Sequence, residues 1–341
     1  MLEDLEQQFV CVRAVQMKGV DLSLFQFDWD QTWCVFFLNA DGTIYGRYGT
    51  RAGNGDKSTT HISVPSIKKS MERALELHRG YPANQAQLAG KRGPKFEYAT
   101  AEKIPNVEEH HCIHCHNVRE GVLRTKWLDK KLTAADLWVY PLPENIGLKM
   151  DVNDGLRVMS VTPHSPAAKA GIRAGDDLIS LAGQPLISQA DIQWVLHQSP
   201  VETKLAVIFA RGGKEGTTTA ATLTLGGSWK ESDIAWRSSS GPGLRYGFWA
   251  VPLAANDKLQ RNIPADSFAF RVRNLYAPRA GKLKDAGLRE GDIIVAVDGK
   301  TEPMTESQFI TYLRLSHSPG DTIRFTLLRQ GKREELEIPM W

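Results

Sequence analysis

Cysteine is scarce: the 341 residues hold 4, namely Cys11, Cys34, Cys112 and Cys115. That excludes a fold stapled by disulfides. Long apolar runs are missing too, so no helical membrane span is expected. Neither sign of charge is in excess: 42 Lys and Arg face 39 Asp and Glu, and the net +3 is too small to argue for nucleic acid. No Gly-x-Ser-x-Gly occurs, and the segments supply no Ser/His/Asp set, so the chain reads as a non-enzyme rather than a serine hydrolase. An export signal is also lacking, because Met1-Leu2-Glu3-Asp4-Leu5-Glu6 is acidic where a basic region and an apolar stretch would stand.

What is present begins with Cys112-Ile113-His114-Cys115-His116. The spacing C-x-x-C-H puts two thiols one helical turn apart, able to form thioethers with one porphyrin, and sets His116 to ligate its iron. The expectation is one covalent haem c on Cys112 and Cys115 with His116 as proximal ligand. Distal candidates are His61, His78, His110, His111 and Met150, each with a plainer reading as a surface, hydrogen-bonded or core residue. Zinc is the rival cofactor, although no second Cys pair closes a tetrahedron. A thiol-disulfide role for Cys112 and Cys115 is a third reading, short of its usual context. Cys11 and Cys34 sit in apolar runs and are expected as small buried hydrophobes, with a disulfide between them as the alternative.

The length suggests two or three domains. In residues 1–80, Phe9 to Val15 reads as a short strand. Trp33 to Leu38 reads as a strand buried on both faces. Asn39-Ala40-Asp41-Gly42 is turn chemistry, and Thr43 to Tyr48 returns as a hairpin. Val64, Ile67, Met71, Ala74 and Leu75 then share one helical face. This order resembles the second half of a bacterial envelope thioredoxin-like domain. The resemblance implies a scaffold, since the first core strand, the redox C-x-x-C and the proline before the buried strand are missing. A half-fold with an unpaired edge suggests a longer natural N-terminus carrying the export signal. Residues 81–140 read as a linker and the haem segment, with Tyr81 to Pro105 as the linker or extended arm and Trp127, Leu132, Leu137, Trp138 and Tyr140 free to cover a flat cofactor or neighbouring domains.

From residue 141 the chain repeats itself. Ala170-Gly171-Ile172-Arg173-Ala174-Gly175-Asp176 recurs as Ala286-Gly287-Leu288-Arg289-Glu290-Gly291-Asp292, and Leu181-Ala182-Gly183 recurs as Val297-Asp298-Gly299. Two copies of one domain follow, residues 141–228 and 244–341, joined by a linker at 229–243 in which Trp229 and Trp236 are expected to pin the copies together. Each copy resembles a PDZ domain of the HtrA type. The resemblance implies that Asn145-Ile146-Gly147-Leu148 aims backbone N–H groups at a partner's C-terminal carboxylate. The partner would then add as a strand between Leu148 and Met150 on one side and Ile192, Val195 and Leu196 on the other. The second copy, with Tyr246-Gly247-Phe248 as its loop, is more divergent and reads equally as a docking element.

The expected architecture is therefore α+β and multidomain: a partial thioredoxin-like half-domain, a haem-c segment and two PDZ domains. The expected function is electron transfer or redox or gas sensing in the periplasm or envelope. PDZ docking to protein or peptide C-termini and a redox partner protein would accompany it. The alternative is a non-catalytic PDZ adaptor holding structural zinc or no cofactor.

Overall fold

The computed structural model describes residues 2–107, 112–213, 216–240, 247–277 and 279–340. The chain divides into two compact units, Met1–Gly121 with Trp138–Ser232 and Val122–Leu137 with Asp233–Trp341. Among the described residues no helix is long and apolar enough to cross a membrane.

The first unit opens with an antiparallel hairpin, β1 (Val35–Leu38) and β2 (Ile44–Tyr48). Its turn is the one read from Asn39-Ala40-Asp41-Gly42: Gly42 takes φ +82°, and Asp41 Oδ1 accepts from the Thr43 amide at 2.9 Å. Helix α1 (Val64–Arg79) starts where Ser63 and Ser66 cap each other's amides. Its buried face is Met71, Ala74 and Leu75, while Val64 is exposed.

Two expectations for this region change. Phe9 to Val15 forms no strand, and Val10, Val12 and Val15 face solvent. The strand buried throughout is β2, including Gly46 and Arg47, whereas β1 buries only Phe37 and Trp33 stays 40% exposed. Composition misleads here because Arg47 finds partners for two of its guanidinium nitrogens inside the protein. The group lies 3.8 Å from the centre of the Trp194 ring and donates to the carbonyls of Gln26 (2.8 Å) and Lys91 (2.7 Å).

Residues 81–105 are not a loose linker. They make short helical turns at Gln85–Leu88, Ala89–Lys91 and Ala101–Lys103 and bury Leu88, Ala101 and Ile104. Lys91 is fully buried, and its ammonium reaches Asp191 Oδ2 at 2.7 Å. Helix α2 (Cys115–Leu128) follows.

The first repeat copy comprises β3 (Leu148–Met150), β4 (Val158–Val161), the short helix α3 (Pro166–Lys169), β5 (Asp177–Leu181), β6 (Gln184–Pro185), helix α4 (Gln189–Gln198), β7 (Thr203–Arg211) and β8 (Thr217–Leu225). Strand β3 pairs with β4, and the larger sheet runs β6-β5-β7-β8. In the second unit, β9 (Phe248–Pro252), helix α5 (Ala255–Leu259), β10 (Phe270–Leu275), helix α6 (Ala280–Asp285), β11 (Ile293–Val297), helix α7 (Glu306–Ser316), β12 (Thr322–Arg329) and β13 (Lys332–Pro339) build one sheet in the order β13-β12-β11-β10-β9.

The repeat holds at the level of single bonds. Asp176 accepts from the Arg173 amide and from both ends of Arg211, whose Nη2 also reaches the Gly171 carbonyl. Asp292 does the same with the Arg289 amide and Arg329, and Arg329 Nη2 reaches the Gly287 carbonyl. Each clamp ties the loop before a central strand to the end of a later strand, with charge-assisted forked bonds. Gly171 and Gly287 take φ of +80° and +100°, which side chains rarely adopt and which turns their carbonyls to the arginine.

The described part of the segment between the copies, residues 229–240, is packed rather than free. Trp229 joins the core of the first copy and donates to the Val201 carbonyl at 2.6 Å, while Trp236 is buried within the second unit. Each tryptophan thus serves its own unit. Trp127 enters the core of the second copy beside Phe248, Phe309 and Phe325, and its indole donates to the His317 carbonyl at 2.8 Å.

Asp191 is the buried acid that joins these pieces, so its charge should matter more than its shape. Asp191→Asn leaves the Lys91 ammonium buried without its counter-charge and should lower the unfolding free energy by about 3–5 kcal/mol. Urea unfolding read by tryptophan fluorescence checks this; a loss below about 1 kcal/mol would show that the pair contributes little.

Candidate peptide-binding grooves

In the first copy the loop residues predicted to hold a carboxylate form a short 3₁₀ turn, Pro143–Ile146, closed by Gly147 at φ +88°. The glycine is required twice over, since a Cβ there would also meet the Ser165 side chain at 2.1 Å. Ile146, Leu148 and Met150 line up behind it, opposite Ile192, Val195 and Leu196 of α4. The predicted groove residues are thus brought into one cluster, but as core: Leu148 is 1% exposed, Met150 6% and Val195 2%. Asn145 is turned to the following segment, where its amide donates to the carbonyls of Trp229 (2.8 Å) and Glu231 (2.9 Å).

Helix α4 has no open face over Gln189–Leu196. Asp191 accepts from the Lys91 ammonium and from the amides of Arg47 (3.1 Å) and Ile187 (3.0 Å). Gln193 accepts from the Thr50 hydroxyl at 2.8 Å and donates to the Tyr140 carbonyl at 2.9 Å. The Trp194 indole donates to the Gly90 carbonyl, and the Tyr140 ring stacks on His197 at 4.1 Å. Burial pushes the Lys91 ammonium and the Tyr140 phenol away from their charged forms, Lys91 downward against the pull of Asp191 and Tyr140 upward. Sequence reasoning missed this cover, and its one available signal was Lys91 itself, a cation shortly after Leu88 and Ala89 in a segment read as a linker.

The second copy is arranged differently. Gly247 takes φ +79° at the head of β9, while Tyr246 lies outside the described residues. Strand β9 pairs with β10 alone, so it is the edge of its sheet among the described residues. Phe248 and Ala250 point into the core, and Trp249 stands 37% exposed with its indole donating to Glu306 Oε1 at 3.1 Å. Burial raises the Glu306 carboxyl above its usual range, against the indole bond that lowers it. On α7, Phe309 and Leu313 face the core. Ser307 and Arg314 take the preceding segment instead, through the Ile234 amide (3.0 Å) and the Ser239 carbonyl (3.2 Å).

Among the described residues the cysteines and histidines do not converge on a cofactor site. Cys112 is exposed, Cys115 is half-buried at the start of α2, and the His116 ring stacks on His114. His78 Nδ1 pairs with the Tyr45 hydroxyl at 2.8 Å, and His61 lies between Thr60 and Glu144. Met150 is core, and His110 and His111 lie outside the described residues. No three His, Cys, Asp or Glu among the described residues come together to hold a metal. All four cysteines are free; Cys11 is exposed rather than buried, and burial pushes the Cys34 thiol up to about 12.

The loops, clamps and grooves define two PDZ domains, and residues 145–222 and 279–340 match the family described as "PDZ domain". The similar proteins are HtrA-type. A probable periplasmic DegP-like serine endoprotease of Pseudomonas savastanoi pv. phaseolicola is 27% identical over 192 residues, 56% of this chain and 38% of that one. The periplasmic serine endoprotease DegP of Escherichia coli K12 is 43% identical over 68 residues, 20% of this chain and 14% of its own. The chain thus spans less than half the length of these curated relatives. Among solved structures, the serine endoprotease from Yersinia pestis matches 31% of this chain and 35% of its own at 25% identity, with a TM-score of 0.25 that bears no weight.

These findings overturn the haem reading. Relatives named as serine endoproteases replace the expected c-type cytochrome, and electron transfer and haem or gas sensing fall with it. Haem c on Cys112, Cys115 and His116 is withdrawn, as is the zinc alternative, since the candidate ligands are dispersed or otherwise bonded.

One carboxylate beside the first groove predicts a pH dependence. Asp154 is buried, which alone would raise it, but the bonds from Lys69 (2.6 Å) and Arg73 (2.5 Å) prevail and hold it far below the carboxylate range. A depressed folded-state value stabilises above the unfolded value near 4 and is lost as pH falls below it. The thermal midpoint should therefore drop on acidification below about pH 4, and Asp154→Asn should flatten that limb relative to wild type; parallel limbs would refute the assignment.

Proposed function

We propose that the protein is a periplasmic PDZ adaptor that captures extended or C-terminal peptide segments of partner proteins by strand addition. The family match falls on the PDZ residues, so peptide recognition is the property carried over from the relatives, and their envelope compartment comes with it. The observation that carries the reading is β9: an edge strand headed by a left-handed glycine, with alternate residues buried and its outer backbone edge unpaired by any described strand. The glycine-headed loop would offer N–H groups to a terminal carboxylate. The N-terminal hairpin and helix are read as the thioredoxin-like scaffold, without redox chemistry.

Peptides of one sequence with free or amidated C-termini test this on the full chain. The free acid should protect the amides of Phe248–Pro252 from hydrogen exchange, and the amide form should protect them at least tenfold less well. Gly247→Ala should weaken binding tenfold or more. An L-residue in the left-handed region costs about 1–2 kcal/mol, and its Cβ would lie 2.6 Å from the Arg279 Cβ. No protection at β9 by either peptide would refute the reading.

A further inference from the structure

The first PDZ domain has a groove of the right parts, yet nothing in it is open. Its two walls are held by one body. On the strand side, His61 Nε2 bonds Glu144 Oε1 at 3.0 Å just ahead of the carboxylate loop. The Ser63 hydroxyl donates to the Val152 carbonyl at 2.9 Å, and Lys69 and Arg73 clasp Asp154, both beyond the far end of β3. On the helix side, Ser70 and Arg73 donate to the Ile187 carbonyl at the start of α4, and Lys91, Arg47 and Thr50 engage Asp191 and Gln193 along it. These partners come from one contiguous stretch, residues 44–91, holding β2, α1 and the buried turn at Lys91. The close approach is built in: a Cβ on Gly46 would sit 2.3 Å from the Ile187 side chain.

We propose that this N-terminal stretch is the resident ligand of the first PDZ domain, seated across its groove so that an outside peptide reaches Leu148–Met150 only by displacing it. A surface that merely adjoined the domain would hold one wall. This one bonds the loop before β3, the turn after it and the helix opposite, while Leu148, Met150, Ile192 and Val195 are buried in the domain's own core. The division of labour follows: the first domain serves the chain's own architecture, and the second is left for partners. The inference rests on reading these domains as peptide-binding.

The test uses the full chain and a free-acid peptide that protects β9. In wild type that peptide should leave exchange at Leu148–Met150 unchanged. In the rim variant Lys69→Ala/Arg73→Ala, shown to be folded by unaltered protection at β7 and β8 of the same unit, the same peptide should slow exchange at Leu148–Met150 tenfold or more. Should the variant fail to fold, wild type alone decides. At high peptide concentration any protection of Leu148–Met150 must be matched by faster exchange at Ile44–Tyr48, because both occupants claim one place. Protection of β3 in wild type at the concentration that saturates β9, or protection of β3 with Ile44–Tyr48 undisturbed, overturns the proposal. A folded variant whose β3 stays unprotected overturns it equally. Absence of binding at β9 in every form refutes the parent reading instead.

Discussion

A single carboxylate removed from water organises the first half of the molecule. Asp191 lies on a helix with no open face and takes its hydrogen bonds from the Lys91 ammonium and from the amides of Arg47 and Ile187. A buried charge is tolerable only when its partners are in place, so these three must be held together or not buried at all. Meeting that condition folds the segment around Lys91 inward, brings β2 against α4 and seats Arg47 on Trp194. The apolar packing of the hairpin and of the first PDZ core can then proceed on either side of a polar seam centred on paired charges.

The second organising device is the Arg–Asp clamp, present once in each PDZ domain. It needs a glycine in the left-handed region, an aspartate five residues on, and an arginine at the end of a strand more than thirty residues later. The glycine and aspartate were plain in the repeated Gly-x-x-x-Gly-Asp pattern. Arg211 and Arg329 were not singled out, because a cation at a strand end has a ready explanation as a wet residue and its distant partner leaves no local trace.

The same distinction separates what was legible from what was not. Two PDZ domains could be read from the repeat, and the hairpin turn at Asn39-Ala40-Asp41-Gly42 from local chemistry, because turn geometry depends on a few adjacent residues. The cover over the first groove was illegible, because it is made by pairs about a hundred residues apart and by backbone carbonyls, which sequence does not mark. The haem reading failed for a related reason. C-x-x-C-H is a local pattern, whereas a cofactor site needs a converging environment, and His61, His78 and Met150 are each bonded or packed elsewhere. Among the groove residues, hydrophobicity correctly placed Ile146, Leu148 and Leu196 on one cluster but could not say whether that cluster faced a partner or the interior.

The separation between Lys91 and Asp191 has a consequence for how the protein is made. A chain lengthened from its N-terminus presents the hairpin, α1 and the Lys91 turn a hundred residues before the helix that neutralises that lysine. In the interval Lys91 and Arg47 can only be hydrated, so the early segment cannot yet settle into its final form. The opening of the chain must wait, uncommitted, for a carboxylate still to be added, and the first unit becomes complete in one late step rather than from its beginning.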